Sequence, residues 1–135
     1  MKKISSFALF TALCVLPIAH SSAAWQELGS NALMVVYVDL DTVSAVGEKA
    51  QIMSMLDFKK PGVNPKTKQP VSSIIGINEY NCPAVSYRPI EYKVFSGNKG
   101  EGKVIADIKS PDSQFEAITN GSWAAGVYSI ACRAK

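Results

Sequence analysis

Between Ala50 and Phe58 apolar and polar residues alternate, with Ile52, Leu56 and Phe58 on one side of an extended chain and Gln51, Met53, Met55 and Asp57 on the other. This period of two predicts a strand with one mixed face. Upstream, Leu33 to Asp39 is a short, β-branched, continuously apolar run, as expected of a strand with neighbours on both faces and an end at Asp39 and Asp41. Downstream, Val71 to Tyr80 and Val85 to Phe95 predict two more strands, separated by Asn81, Cys82 and Pro83. In the second of these Tyr87, Pro89, Glu91, Lys93 and Phe95 alternate with Arg88, Ile90, Tyr92 and Val94. Pro89 has no N–H to give a ladder, so it calls for an edge position or a bulge. Lys103 to Ile108 completes the predicted strands.

The connections differ in composition. Lys59 to Pro70 contains Pro61, Pro65, Pro70 and Gly62 with Lys59, Lys60, Lys66 and Lys68, a mixture expected to form a mobile surface loop. Ser96 to Gly102, with Gly97, Gly100 and Gly102, predicts a hairpin connection. A phosphate-binding loop does not fit there, because no helix start and no Gly-Lys-Ser/Thr follow. Ser110, Pro111 and Asp112 break the chain, and Gln114 to Ile118 takes no clear type. Asn120, Gly121 and Ser122 resemble a helix entry, with Ser122 as N-cap for Trp123 to Arg133. Helical spacing there groups Ala124, Val127, Tyr128 and Ala131, with Cys132 at the margin, whereas a last strand would group Tyr128, Ile130 and Cys132. Both forms are consistent with the pattern.

The first residues have another logic. Lys2 and Lys3, an apolar run from Phe7 to Ala19 broken by Pro17, and Ser22, Ala23 and Ala24 before Trp25 have the layout of a secretory signal peptide, residues 1–24. The run is short of the ~20 residues of a membrane-spanning helix. Cys14 follows Leu13, where lipoprotein processing demands a small residue, so no lipid anchor and no membrane span are expected in the mature chain. The single histidine, His20, leaves with the leader. A mature domain of residues 25–135 then has no Ser/His/Asp triad, no Cys/His dyad and no histidine zinc site.

Of the three cysteines, Cys82 and Cys132 remain, and an even count in an oxidising compartment reads as a disulfide. A redox-active pair would need the Cys-x-x-Cys spacing that is absent. Losing Lys2 and Lys3 lowers the formal charge from +3 to +1, too balanced for a nucleic-acid binder. The remaining length holds one domain with one core.

Candidate chemistry is sparse. Asp39 and Asp41 form the best carboxylate pair and could serve a glycosidase, but such residues more commonly end a strand and bond their own turn. They offer too few oxygens for calcium, and no metal site is expected. Met53, Met55, Tyr37 and Tyr92 could line a haem or copper face, but without histidine core packing is the simpler role, so no cofactor is expected. Lys59, Lys60, Lys66 and Lys68 are the candidate ligand contacts, suited to lipid head groups, acidic glycans or another polyanion.

Spaced landmarks across the mature chain resemble the surface-adhesin protein E family of Gram-negative bacteria. They are Trp25, Val36-Tyr37-Val38-Asp39 before a Thr-Val-Ser turn, Leu56-Asp57-Phe58, the proline and lysine loop, Glu79-Tyr80-Asn81-Cys82, Tyr87 and Arg88, Gly100-Glu101-Gly102-Lys103-Val104, and Cys132. The resemblance implies an α+β fold: an antiparallel sheet of about six strands with a short C-terminal helix tied to one face by a Cys82–Cys132 disulfide. It also implies a non-enzymatic envelope or secreted binding protein that meets a host or envelope protein and can form a homodimer, to which the lysine cluster adds a polyanionic glycan as a candidate partner. Two alternatives belong to other classes: a small periplasmic glycan or peptidoglycan hydrolase using Asp39 or Asp41 with Glu79 or Glu91, and a structural envelope subunit.

Overall fold

A computed structural model describes residues 24–133, so the expected leader, Ala24 apart, lies outside the described residues. The described chain forms β1 (Trp25–Ser30), β2 (Met34–Val46), β3 (Lys49–Val63), β4 (Pro70–Asn81), β5 (Ser86–Phe95), β6 (Val104–Lys109), β7 (Glu116–Ala117) and α1 (Trp123–Arg133). The sheet is an antiparallel meander in the order β1-β2-β3-β4-β5-β6, and the two-residue β7 pairs with β5 beyond the end of β6. The expected α+β fold is therefore present, with the C-terminal segment as a helix rather than a strand.

Ser122 caps that helix, its Oγ accepting from the N–H of Ala125 at 3.3 Å, and Arg133 in the last turn favourably meets the negative end of the helix dipole. The face it lays on the sheet is Ala124, Val127 and Ala131, all buried. Against it stand Val36 and Val38 of β2, Ala50 and Ile52 of β3 and Tyr80 of β4. Burying a side chain such as Val127 contributes about 2 kcal/mol. Cys82, just after β4, is bonded to Cys132 in the last turn of α1, with the two Cα atoms 5.7 Å apart. Tyr128 adds a hydrogen bond to the Cys82 carbonyl at 2.5 Å, so the helix is held beside the bridge by a polar contact as well.

Tyr80 sits at the centre of this junction, its ring 6.0 Å from Tyr87 and 6.4 Å from Tyr128. Burial pushes its hydroxyl pKa up strongly, and the hydroxyl has no hydrogen-bond partner among the described residues. A buried unsatisfied hydroxyl costs about 1–3 kcal/mol, so Tyr80→Phe is expected to leave stability unchanged or raise it by about 1 kcal/mol. A urea melt giving a loss above about 1 kcal/mol would show that the hydroxyl is satisfied in solution.

Three features depart from the sequence expectations, and an expected bulge changes the phase of a fourth. β1 was not expected: a bulge between Glu27 and Gly29 breaks its alternation, and Leu28 is its contribution to the core. β2 does not end at Asp39 but continues to Val46 through a register shift between Asp39 and Ser44. Side chains mend the ladder there, because the Asp39 carboxylate accepts from the N–H of Asp41 at 3.0 Å and the Thr42 hydroxyl accepts from the N–H of Met53 at 2.9 Å. The turn role expected of the aspartates is thus built inside a strand.

The segment from Lys59 to Pro70 is not a loop throughout. Lys59–Val63 extends β3, Pro70 opens β4, and Gly62 and Val63 pair with Val71 and Pro70. Pro61 falls within the register shift between Asp57 and Gly62, where it owes no ladder bond. Finally, β5 has the bulge that Pro89 called for. Asn78 pairs with Pro89 and Ile77 with Glu91, so Ile90 is the extra residue. The alternation changes phase there, and Tyr87 and Pro89 share a face with Tyr92 and Val94 rather than with Glu91 and Lys93.

Candidate functional site

The face opposite α1 is closed at both ends. At one end the β5–β6 connection folds back: Asp57 accepts from the N–H of Lys99 and from the Asn98 side chain, each at 2.9 Å. Ser73 donates to the Gly97 carbonyl at 2.7 Å and accepts from the N–H of Gly100 at 2.9 Å. Met55 and Ser73 are buried beneath it. At the other end Arg88 meets Glu79 at 2.8 Å and lies 4.7 Å from the ring centre of Phe115. Burial alone would push the Glu79 carboxyl up, but hydrogen bonds from Gln51 and Arg88 and the charges of Arg88 and Lys49 hold it below the usual carboxylate range. Between the two ends is a depression of about 400 Å³ over Met53, Ile75 and Ile77, bordered by Glu91, Lys93 and Asp107.

This layout keeps the candidate carboxylates apart. Along the register Asp39 pairs with Met53, Met53 with Ile77 and Ile77 with Glu91, placing Asp39 and Glu91 three strand spacings apart, about 14 Å. Glycosidase pairs sit about 5–9.5 Å apart and need one raised pKa, whereas Glu79 is lowered and held by Arg88. Tyr92 lies on the face opposite Tyr37, Met53 and Met55, so those four residues do not form one wall. Among the described residues no cluster of three or more His, Cys, Asp or Glu could hold a metal ion.

The four candidate lysines gather on one feature. Lys59 and Lys60 are on the β3 half of a β-ribbon that continues the sheet, and Lys66 and Lys68 are in its turn; all four are exposed. Asn64 organises that turn, its side chain accepting from the N–H of Lys66 at 2.9 Å and of Thr67 at 3.2 Å. The ribbon is thus built by ladder and side-chain bonds.

Beneath the ribbon, on the face that bears α1, lies a feature that sequence patterning did not reveal. The helix covers one end of this face, and an apolar trough remains over the other. One hollow of about 520 Å³ is lined by Leu33, Met34, Phe58, Val63 and Val71, with Lys60 on its ribbon side. A second of about 290 Å³ continues toward Leu56, Pro89, Glu116 and Trp123, and the two share Ile74 and Tyr92. The signal available in the sequence was Val63 within the lysine segment and Val71 just after it, apolar residues a solvated loop does not need.

A small open antiparallel sheet with one disulfide-tied helix defines an α+β domain, and a cationic ribbon and an apolar trough lie on its surface. The model of the surface-adhesin protein E family matches residues 25–133, and the chain belongs to that family. Its fold is that of Haemophilus influenzae protein E: one structure is 15% identical with a TM-score of 0.59, over 84% of this chain and 86% of that one. A second crystal form gives 14% identity and a TM-score of 0.56, over 79% and 92%. Protein E from non-typeable Haemophilus influenzae gives 14% and 0.54, over 87% and 80%. No curated protein sequence matches. No helix among the described residues is long and apolar enough to cross a membrane.

Proposed function

We propose that this chain is an exported, non-enzymatic adhesin-like binding module whose cationic ribbon recognises a polyanionic host or envelope partner. Residues 1–24 serve as the export signal, and the periplasm or the cell surface is the site of action. The observation that carries the reading is the ribbon itself: Lys59, Lys60, Lys66 and Lys68 stand exposed on an ordered β-extension, and the one ion pair within 4.0 Å among the described residues, Arg88–Glu79, lies elsewhere. Charges already held on a folded ribbon lose less conformational entropy on binding than charges on a free loop. Family membership supports the same reading, and the separated carboxylates give no support to hydrolysis.

The test is retention on an immobilised sulfated glycan such as heparin. Replacing all four lysines with serine is expected to weaken binding more than tenfold and to shift elution to lower salt, because surface charge attraction is screened within about 10 Å at 0.1 M. Folding should be untouched, since every replaced side chain is exposed. Equal retention by the variant would overturn the reading.

A further inference from the structure

We propose that the trough beside α1 binds a fatty acid, with its carboxylate on Lys60 and its tail running toward Trp123. This goes beyond the glycan reading, with which it shares Lys60 but not the apolar trough. The two hollows adjoin, sharing Ile74 and Tyr92 as walls, and together they run along one face of the sheet. Leu33 and Val63 stand at the outer end of the trough with 69% and 64% of their surfaces exposed, a state that an apolar occupant would relieve.

The polar groups of the trough select the occupant. Ser54 and Asn78 on the floor are buried and bond to each other at 3.5 Å. A peptide laid on this floor would bury its N–H and C=O groups with little to receive them, whereas an acyl chain has no such groups to satisfy. Charge then sets direction. Lys60 lines the outer hollow and Glu116 the inner one, so an anionic head is drawn to the ribbon and repelled from the helix end. Lys59, Lys66 and Lys68 on the same ribbon add to that field.

The test uses the oxidised full-length protein carrying Trp25→Phe, so that Trp123, which lines the inner hollow, is the emitting tryptophan. Octanoate, decanoate and dodecanoate are titrated below their micelle concentrations. A saturable shift in emission is expected, with affinity rising roughly fourfold per added methylene, the equivalent of ~0.8 kcal/mol. Leu33→Asp and Val63→Asp should each weaken binding at least tenfold without unfolding the protein, since both side chains are largely exposed. Lys60→Glu should weaken the carboxylates and leave the alcohol of equal chain length unaffected.

Absence of a saturable shift, or full binding by Leu33→Asp, would overturn the proposal. So would sedimentation showing a dimer that Leu33→Asp dissociates and dodecanoate does not, because the trough would then be covered by a second copy. Leu33→Asp and Val63→Asp keep all four lysines and should retain heparin binding while losing the acyl chain, so either proposal can fail while the other stands.

Discussion

Cys132→Ser is expected to lower the unfolding free energy by about 4 kcal/mol, the loop-closure value for a bridge spanning 50 residues. Reducing the wild-type protein with a thiol should give the same loss, so the two urea midpoints should coincide under reducing conditions and separate under oxidising ones. The effect also has a location. Helix α1 is the last element among the described residues, and its buried face is Ala124, Val127 and Ala131, with Trp123, Tyr128 and Ile130 packed partly buried beside them. An eleven-residue helix is too short to hold its form alone in water, so it depends on this packing and on its anchor. Amide exchange in Trp123–Arg133 should therefore accelerate far more than exchange in β3 or β4. Coincident oxidised midpoints, or uniform acceleration across the sheet, would show that the bridge does not clamp the helix.

Much of that arrangement was legible in the residues because the rules involved are local. Alternation from Ala50 to Phe58 assigned β3 and its two faces, and the run from Val71 to Tyr80 assigned β4. Ser122 marked the helix start, and the cysteine count gave the bridge. What escaped depended on pairing between distant segments. Pro61 could lie in a strand because the register shift between Asp57 and Gly62 relieves it of a ladder bond, a fact held by β4 and not by the local sequence. Asp39 looked like a terminator because nothing nearby shows that Thr42 will take a ladder bond from Met53 on the next strand.

The candidate site was half visible for the same reason. Composition alone picked out the lysines, since exposed cations declare themselves. The trough depended on one extra residue: Ile90 flips the phase of β5 and brings Tyr92 and Val94 onto the face of Ile74. Strict alternation placed them with Arg88 and Ile90 instead. A slip of one residue moves an entire run to the other side of a sheet, so a bulge whose position is uncertain hides any site built across it.

The same bulged pairing makes Gly76 the most sensitive glycine of the sheet. It lies opposite Tyr92, and a β-carbon added there would come within 2.5 Å of the Tyr92 Cβ and 2.6 Å of the Glu91 carbonyl oxygen. The obstacle is backbone and the root of a side chain, neither of which can swing away, so β4 and β5 must part locally. Gly76→Ala is expected to cost about 3 kcal/mol, the upper end of ordinary overpacking. Gly126 supplies the contrast: it lies in the middle of α1 with nothing within 4 Å of its added β-carbon. Gly126→Ala should stabilise the protein by up to about 1 kcal/mol through helix propensity and a less free unfolded chain. One methyl group thus acts with opposite signs at two glycines, and urea midpoints measure both. Because Tyr92 also lines both hollows of the trough, Gly76→Ala should displace the ring they share and weaken any occupant, whereas Gly126→Ala should leave the trough intact. A neutral Gly76→Ala would mean that the strands are not as close in solution as the Gly76–Tyr92 pairing requires.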